Sequence, residues 1–463
     1  MSQIELPEGW CEATLQDVAD WGSGGTPSRK YAEYYDGDIP WVKTGDLGPK
    51  LLESCSESIT ELGVKNSSAK LFSKGSVALA MYGATIGRTS ILGMDATTNQ
   101  ACAVGNPVKG LTSSEFLYYF LSNEKDRFIA KGKGGAQPNI SQAVIKEHPF
   151  FLPPLAEQQI IADKLDNLLS QVESIKARLE RIPEIIKQFR QSVLAAAVSG
   201  KLTEEWRGNN GVSIDDWKKH KIGSLVSVVN GKAFPSSDYT DSGVKLLRPG
   251  NLNVSGSVIW NTKNTTYIPS FWIDKRPELI IEKWALLMNL TAQSLKDDFL
   301  GRVCIYESEE RVMLNQRICS FVSKIENDIT PYLYYFFKSP EFREYVDTLD
   351  TGTLIKHLNV KDVLKFEVKV PTDEEQTEII KQIKQRLEQI EYIEDIVCNA
   401  LERINNLTQS ILAKAFRGEL TAEWREANPD LISGENSAEA LLKRINAQRE
   451  SAKSATKRGR GKA

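Results

Sequence analysis

From Ile161 the apolar residues advance in alternating steps of four and three, through Leu165, Leu168, Val172, Ile175, Leu179, Ile182, Ile186 and Phe189 to Val193. A second run starts at Ile379 and passes Ile383, Ile390, Ile393, Val397, Ala400, Ile404 and Leu407 to Ile411, with Arg386 as its polar intrusion and Leu387 beside it. A period of about 3.5 residues held this long predicts helices that bury a seam against another helix, because a helix lying on a globular core follows a period nearer 3.6. Each stripe needs a partner, and the simplest is the other stripe. Two such helices, separated by a large globular region, pair most simply within the chain and antiparallel. An ordinary amphipathic helix packed on a core is the alternative.

The two runs belong to a longer duplication. Lys201-Leu202-Thr203-Glu204-Glu205-Trp206-Arg207 returns as Glu419-Leu420-Thr421-Ala422-Glu423-Trp424-Arg425. The same offset places Glu157-Gln158 on Glu375-Gln376 and Gln191-Ser192 on Gln409-Ser410, so the match runs without a gap from Pro153 to Arg207 and from Pro371 to Arg425. Repeats fix architecture, and this one implies two similar halves. Gly200 and Gly418 stand where each helix should stop. Helical from Ala156 to Val198, the first copy would span roughly 60 Å at about 1.5 Å per residue, the length of a spacer. Pro183 lies inside its seam, and since a mid-helix proline costs about 3 kcal/mol, a kink or break is predicted near Arg181 or Ile182. The second copy has Leu401 there.

The regions before the spacers match more faintly. Trp10 and Trp217 each open a strand-like stretch, Asn99-Gln100 matches Asn315-Gln316, and Leu117-Tyr118-Tyr119-Phe120 matches Leu333-Tyr334-Tyr335-Phe336, all in the same order. Short Val, Ile and Tyr runs broken by Gly, Asn and Asp predict mixed domains, with the Tyr-rich runs as core faces of a helix. The chain therefore reads as α+β. Two mixed α/β domains, residues 1–152 and 208–370, are separated by two long helical spacers, 153–207 and 371–425, expected to form an intramolecular antiparallel coiled coil with pseudo-two-fold symmetry. Residues 426–463 form a tail, basic and expected to be flexible at its end.

Composition narrows the function classes. A chain of 463 residues has room for about two to four domains. Its six cysteines have no paired spacing and its three histidines stand apart, so neither a disulfide framework nor a zinc cluster is indicated. The N-terminus shows no export signal and no stretch of about 18 apolar residues occurs, which predicts a soluble, cytoplasmic protein that does not engage a membrane. Net charge is −3, and no segment between these boundaries lies outside −4 to +3. Any nucleic-acid contact must come from local patches that the averages conceal.

Two dissimilar domains, each followed by a helix opening Pro153-Pro154-Leu155-Ala156-Glu157-Gln158-Gln159 or Pro371-Thr372-Asp373-Glu374-Glu375-Gln376, and closing Gly200-Lys201-Leu202-Thr203 or Gly418-Glu419-Leu420-Thr421, resemble the specificity subunit of type I restriction-modification enzymes. The stretch from Asn406 to Leu420 is the most specific part, and the tail from Asn428 to Ser437 resembles the enteric, type IA-like branch. The resemblance implies that the two domains are target recognition domains reading a split target in double-stranded DNA. It implies that the helices form a ruler, and that two methyltransferase subunits and, in the full complex, restriction subunits assemble on the chain. No cofactor is implied for this chain itself; S-adenosylmethionine, ATP and Mg belong to the partner subunits.

Base readout calls for Arg or Lys against guanine and Asn or Gln against adenine, and phosphates call for cations and free backbone amides. Two stretches just before the spacers meet both needs. Lys131, Lys133, Gly134, Gln137 and Asn139 are the candidates in the first, and Lys356, His357 and Asn359 in the second. The rival reading makes each a surface loop whose Asn caps the next helix. Arg29, Lys30 and Lys43 in the first domain, with Lys245 and Arg248 in the second, are further candidates. Gly22-Ser23-Gly24-Gly25 could approach a phosphate, although a plain turn is the simpler reading. Trp206 and Trp424, with Arg207 and Arg425, are the candidates for partner docking.

Catalysis finds no support. No Gly-rich loop ending in Gly-Lys-Ser/Thr and no Asn/Asp-Pro-Pro-aromatic motif is present. Asp362 with Glu367 and Lys369 imitates a nuclease pattern, but Pro149 and Phe151 occupy the matching positions of the first half. The expected function is a non-catalytic DNA-specificity subunit that directs adenine methylation or restriction by its partners. A coiled-coil adaptor with paired protein-binding domains is the alternative.

Overall fold

The computed structural model describes residues 6–134, 138–293, 298–348 and 355–460, with side chains as far as 450. The chain divides into two compact units, residues 1–178 with 399–463, and residues 179–398. Each unit holds one globular domain and half of each long helix.

In the first unit, strands Ala19–Ser23, Cys102–Pro107, Val77–Ala80, Thr89–Leu92 and Leu51–Leu52 form one sheet in that order. Ser58–Ile59, Tyr35–Val42, Ala96–Thr98 and Leu71–Phe72 form a second. Cys11–Thr14 pairs antiparallel with Pro149–Leu152, so the domain begins and ends on one ribbon. The second unit repeats this plan. Val226–Asn230, Ile318–Ser323, Leu286–Asn289 and Val303–Ile305 make the first sheet; Tyr267–Ile268, Val244–Leu247, Val312–Leu314 and Ile280–Ile281 make the second; Lys218–Lys221 pairs with Glu367–Val370. Even the parallel pair at the centre of the second sheet recurs, with Trp41 opposite Thr97 in one domain and Leu246 opposite Met313 in the other. The faint sequence match thus reflects a shared topology. The Tyr-rich runs are helices Ser114–Asn123 and Thr330–Lys338, which bury Phe116, Tyr119 and Phe120, and Tyr332, Tyr335 and Phe336.

The long helices span Leu155–Val198 and Asp373–Phe416. Within the first unit Ile161, Leu165 and Val172 share a core with Ile411, Leu412 and Phe416. Within the second, Val193, Leu194 and Ala197 share one with Ile379 and Ile383. In both, the start of one helix meets the end of the other, which is antiparallel pairing. Not every seam position is covered: Ile175, Phe189, Ile393 and Leu407 are between 44% and 50% exposed. The expectation of a break at Pro183 is corrected, because the helix runs through it. Proline removes one N–H donor, and here it lies on an exposed face where water can take up the freed carbonyl opposite it. Both helices stop at a glycine in the left-handed region, Gly200 (φ 80°) and Gly418 (φ 73°).

The repeated motifs close on one another across the fold. In the second unit the buried Glu375 carboxylate accepts hydrogen bonds from Trp217 Nε1 (2.8 Å), Thr203 Oγ1 (2.6 Å) and Arg207 Nη1 (2.6 Å). In the first, Glu157 accepts from Trp10 Nε1 (2.8 Å), Thr421 Oγ1 (2.6 Å) and Arg425 Nη1 (2.5 Å). The neighbouring glutamines tie down the start of each helix: Gln158 Nε2 donates to Pro153 O and Leu111 O, and Gln376 Nε2 donates to Pro371 O. The Glu-Gln of one copy and the Leu-Thr-x-x-Trp-Arg of the other are therefore two halves of one polar lock. The tail continues into helix Ala438–Arg460, whose Ala438, Leu441 and Ile445 join the first unit's core, and Arg449 Nη2 meets Asp20 Oδ1 at 2.6 Å.

Candidate nucleic-acid interface

In the second unit a short strand, Lys356–His357, pairs antiparallel with Thr291–Ala292 and brings the stretch before the spacer against the first sheet. An open groove of about 760 Å³ lies there, lined by Asn230, Thr291, Gln316, Arg317, Lys324, His357, Asn359 and Lys361 among others. Arg317, Lys324 and Lys361 bring three positive charges and, among the described residues, no carboxylate lines the groove. In a chain whose net charge is −3, this is the kind of local patch that a polyanion requires. His357 and Asn359 are exposed, while Lys356 is half-buried. His357 Nδ1 stands 3.4 Å from Thr291 Oγ1. The Asn359 side chain accepts from Lys361 N at 3.0 Å and caps helix Val360–Lys365. The capping reading therefore holds for Asn359, whose amide remains available at the groove.

Sequence reasoning missed Gln316, Arg317, Lys324 and Lys361. Gln316 and Arg317 form the turn between strands Val312–Leu314 and Ile318–Ser323, and both are exposed. The turn is pinned: Gln316 N donates to Lys232 O (2.8 Å) and Arg317 O accepts from Leu290 N (2.7 Å). Gly231 presses against it, since a Cβ there would stand 1.8 Å from Asn315 O. The match of Asn315-Gln316 to Asn99-Gln100 was the available signal.

The matching stretch of the first domain differs. Lys133 and Asn139 exchange both backbone hydrogen bonds at 2.9 Å, pinching the loop that contains Gly134 (φ 112°). Gln137 lies outside the described residues. Asn139 does not cap the following helix; Ser141 does, accepting from Val144 N. Lys133, Gly134 and Asn139 are exposed, whereas Lys131 points its ammonium at His148 Nδ1 (3.0 Å), whose Nε2 meets Glu124 Oε2 at 2.8 Å. His148 was expected to stand alone; it is buried in this network because strand Pro149–Leu152 draws it under helix Lys125–Lys131. Burial pushes the Glu124 carboxyl up, but the His148 ring and Arg127 outweigh it and hold it below the usual range.

Four of the remaining candidates, Arg29, Lys43, Lys245 and Arg248, are held by neighbouring side chains. Glu57 binds both Lys43 Nζ (2.6 Å) and Arg29 Nη2 (2.5 Å), and Arg29 lies 4.2 Å from the Tyr35 ring centroid. Lys43 first, then Arg29, hold the Glu57 carboxyl below the usual range. The cluster therefore persists above the pH at which a free glutamate titrates, and is lost only as pH falls through the lowered value. Glu57→Gln should release both cations, raising affinity for nonspecific duplex and steepening its salt dependence in a binding titration across salt concentrations; an unchanged salt slope would remove Arg29 and Lys43 from the interface. Lys30 is exposed. Lys245 Nζ meets Glu310 at 2.5 Å, a bond that raises its pKa, and Arg248 Nη1 donates to Thr266 Oγ1 at 3.1 Å. As for docking, Arg207 and Arg425 are turned inward onto Glu375 and Glu157, while Trp206 and Trp424 remain half-buried.

Residues 7–184 and 214–403 match the family model described as the type I restriction modification DNA specificity domain. The chain is 34% identical to the type I restriction enzyme EcoKI specificity subunit of Escherichia coli (strain K12), 32% to the EcoDI specificity subunit of Escherichia coli and 33% to the StySPI specificity subunit of Salmonella potsdam. Each alignment covers 97% of this chain and 97% of the relative. Among solved structures, the HsdS subunit from Thermoanaerobacter tengcongensis matches with a TM-score of 0.60 at 18% identity, over 90% of this chain and 99% of that one. A chain solved in work on complex assembly and conformational transition of the type I R-M system matches at 0.68 and 17%, over 89% and 99%. Among the described residues no helix is long and apolar enough to cross a membrane.

Proposed function

The chain belongs to the type I restriction-modification DNA specificity family, in its enteric, type IA-like branch, and from that we propose that it reads a bipartite double-stranded DNA target and directs adenine methylation or restriction by other subunits. It is a specificity subunit and not itself the enzyme. The observation that carries the reading is the groove holding Arg317, Lys324 and Lys361, which no carboxylate lines among the described residues, in an otherwise acidic chain. Two domains of one topology and different surface residues suit two half-sites of different sequence.

The chain assembles with methyltransferase and restriction subunits. In the finer picture two methyltransferase subunits bring S-adenosylmethionine and the restriction subunits bring ATP and Mg, in the cytoplasm, with no cofactor held by this chain. Trp206 and Trp424, together with the seam residues Ile175, Phe189, Ile393 and Leu407, offer half-exposed apolar surface for docking. The recognition domains comprise residues 1–152 and 208–370 and the ruler 153–207 with 371–425. Gel shifts test the reading: a sequence-specific shift that requires added methyltransferase subunit is expected, and a complex without sequence preference would refute it. If the helices set the spacer, inserting four residues in each at one level adds about 6 Å of helix, or about one or two base pairs of DNA. The methylated motif should lengthen only in its unread spacer, and an unchanged motif would refute the ruler.

A further inference from the structure

We infer that Arg317 reads a guanine edge in the half-site contacted by the second domain; the inference rests on the DNA-reading function above and adds the residue that sets one base of the target. Guanine presents N7 and O6 side by side in the major groove, and the planar fork of an arginine matches both at once. The arginine candidates named from the sequence are engaged, Arg29 on Glu57 and Arg248 on Thr266. Arg317 is exposed, and its guanidinium has no partner among the described residues.

The backbone adds a second argument. Arg317 has φ 75°, a conformation that a glycine adopts without strain and an arginine does not. Nothing that Arg317 does for folding would be lost with glycine, since its structural bond is made by its carbonyl, to Leu290 N. What the side chain adds is a guanidinium on a turn held from three sides, by Lys232, Leu290 and Leu247. A fixed turn is what bidentate readout needs, because the fork must meet two atoms together. Lys324 and Lys361 across the groove supply charge for the flanking phosphates. The first domain provides an internal comparison. Its matching turn keeps the glutamine, Gln100, which receives a hydrogen bond from Thr26, but has the buried Ala101 where Arg317 stands. The arginine is thus a property of one reader only, as two unlike half-sites require.

The test is to express the full chain with its methyltransferase subunit and map methylated adenines across a host genome. With Arg317→Asn, which tolerates positive φ and does not match the guanine edge, the first half-site should stay intact while one guanine position of the second becomes degenerate, its discrimination falling by about 5- to 150-fold. Arg317→Gly should relax the same position with an unchanged or raised Tm, because glycine relieves the strained φ. A wild-type motif in Arg317→Asn overturns the inference. So does loss of affinity for all duplexes alike in Arg317→Gly with the motif kept, which would make Arg317 a phosphate contact. If Arg317→Gly does not fold, Arg317→Asn alone decides. A wild-type complex that methylates no split motif would instead defeat the functional reading, a separate result.

Discussion

Glu375→Ala is expected to lower the unfolding free energy by about 3–5 kcal/mol, the cost of leaving a buried guanidinium without its counter-charge. The Glu375 side chain is fully buried and that of Arg207 is 10% exposed, so water cannot replace the lost carboxylate. Thr203 Oγ1 and Trp217 Nε1 lose their acceptor in the same step. Glu157→Ala should cost a similar amount through Arg425, Thr421 and Trp10. Glu375→Gln keeps an acceptor oxygen and should fall between wild type and alanine. Urea denaturation followed by tryptophan fluorescence checks this directly, since Trp217 is one of the partners. A loss below about 1 kcal/mol, the range of an exposed ion pair, would show that the lock contributes little.

Gly231→Ala is expected to disturb the second reader most among single-atom additions. Its Cβ would stand 1.8 Å from Asn315 O and 3.0 Å from Ile318 O, both backbone atoms that cannot rotate away. Overpacking of this kind costs about 1–3 kcal/mol. The Asn315–Arg317 turn is what must shift, so specificity at the second half-site should be lost while the first is retained. Gly24 has the same relation to Thr98 O, also at 1.8 Å, and Gly24→Ala should spare the second half-site and damage the first. Methylation maps of the two variants check the reciprocity; equal damage to both half-sites in either variant would contradict it. Gly24 is thus a close, buried backbone contact just past strand Ala19–Ser23, and the turn reading of its stretch is corrected, because Gly22 and Ser23 belong to that strand.

The helices were legible because a seam of fixed period and a glycine stop are local signals, and the repeated order of Trp10 and Trp217 was enough to place the first strand of each domain. The polar locks were not legible. Glu375 and Arg207 lie 168 residues apart, and nothing local shows that the duplicated arginine faces inward. Pro183 misled because the rule concerns the lost donor, while an exposed face tolerates that loss. Among the site residues, charge type was visible but charge pairing was not: Arg29 and Lys43 converge on Glu57 only after strand Tyr35–Val42 pairs with Ser58–Ile59. Arg317 escaped notice because its groove forms only when residues 356–357 pair with 291–292. His357, on that pairing strand, was named from the sequence and lies at the same groove.

The central claim, that this chain supplies the sequence that partner enzymes act on, is tested most directly by mapping methylated adenines in a host carrying the methyltransferase subunit, with and without this chain. The account predicts one split motif, two unlike half-sites around an unread spacer, present only when the chain is expressed. A motif present without the chain, or a continuous motif with no spacer, would contradict it.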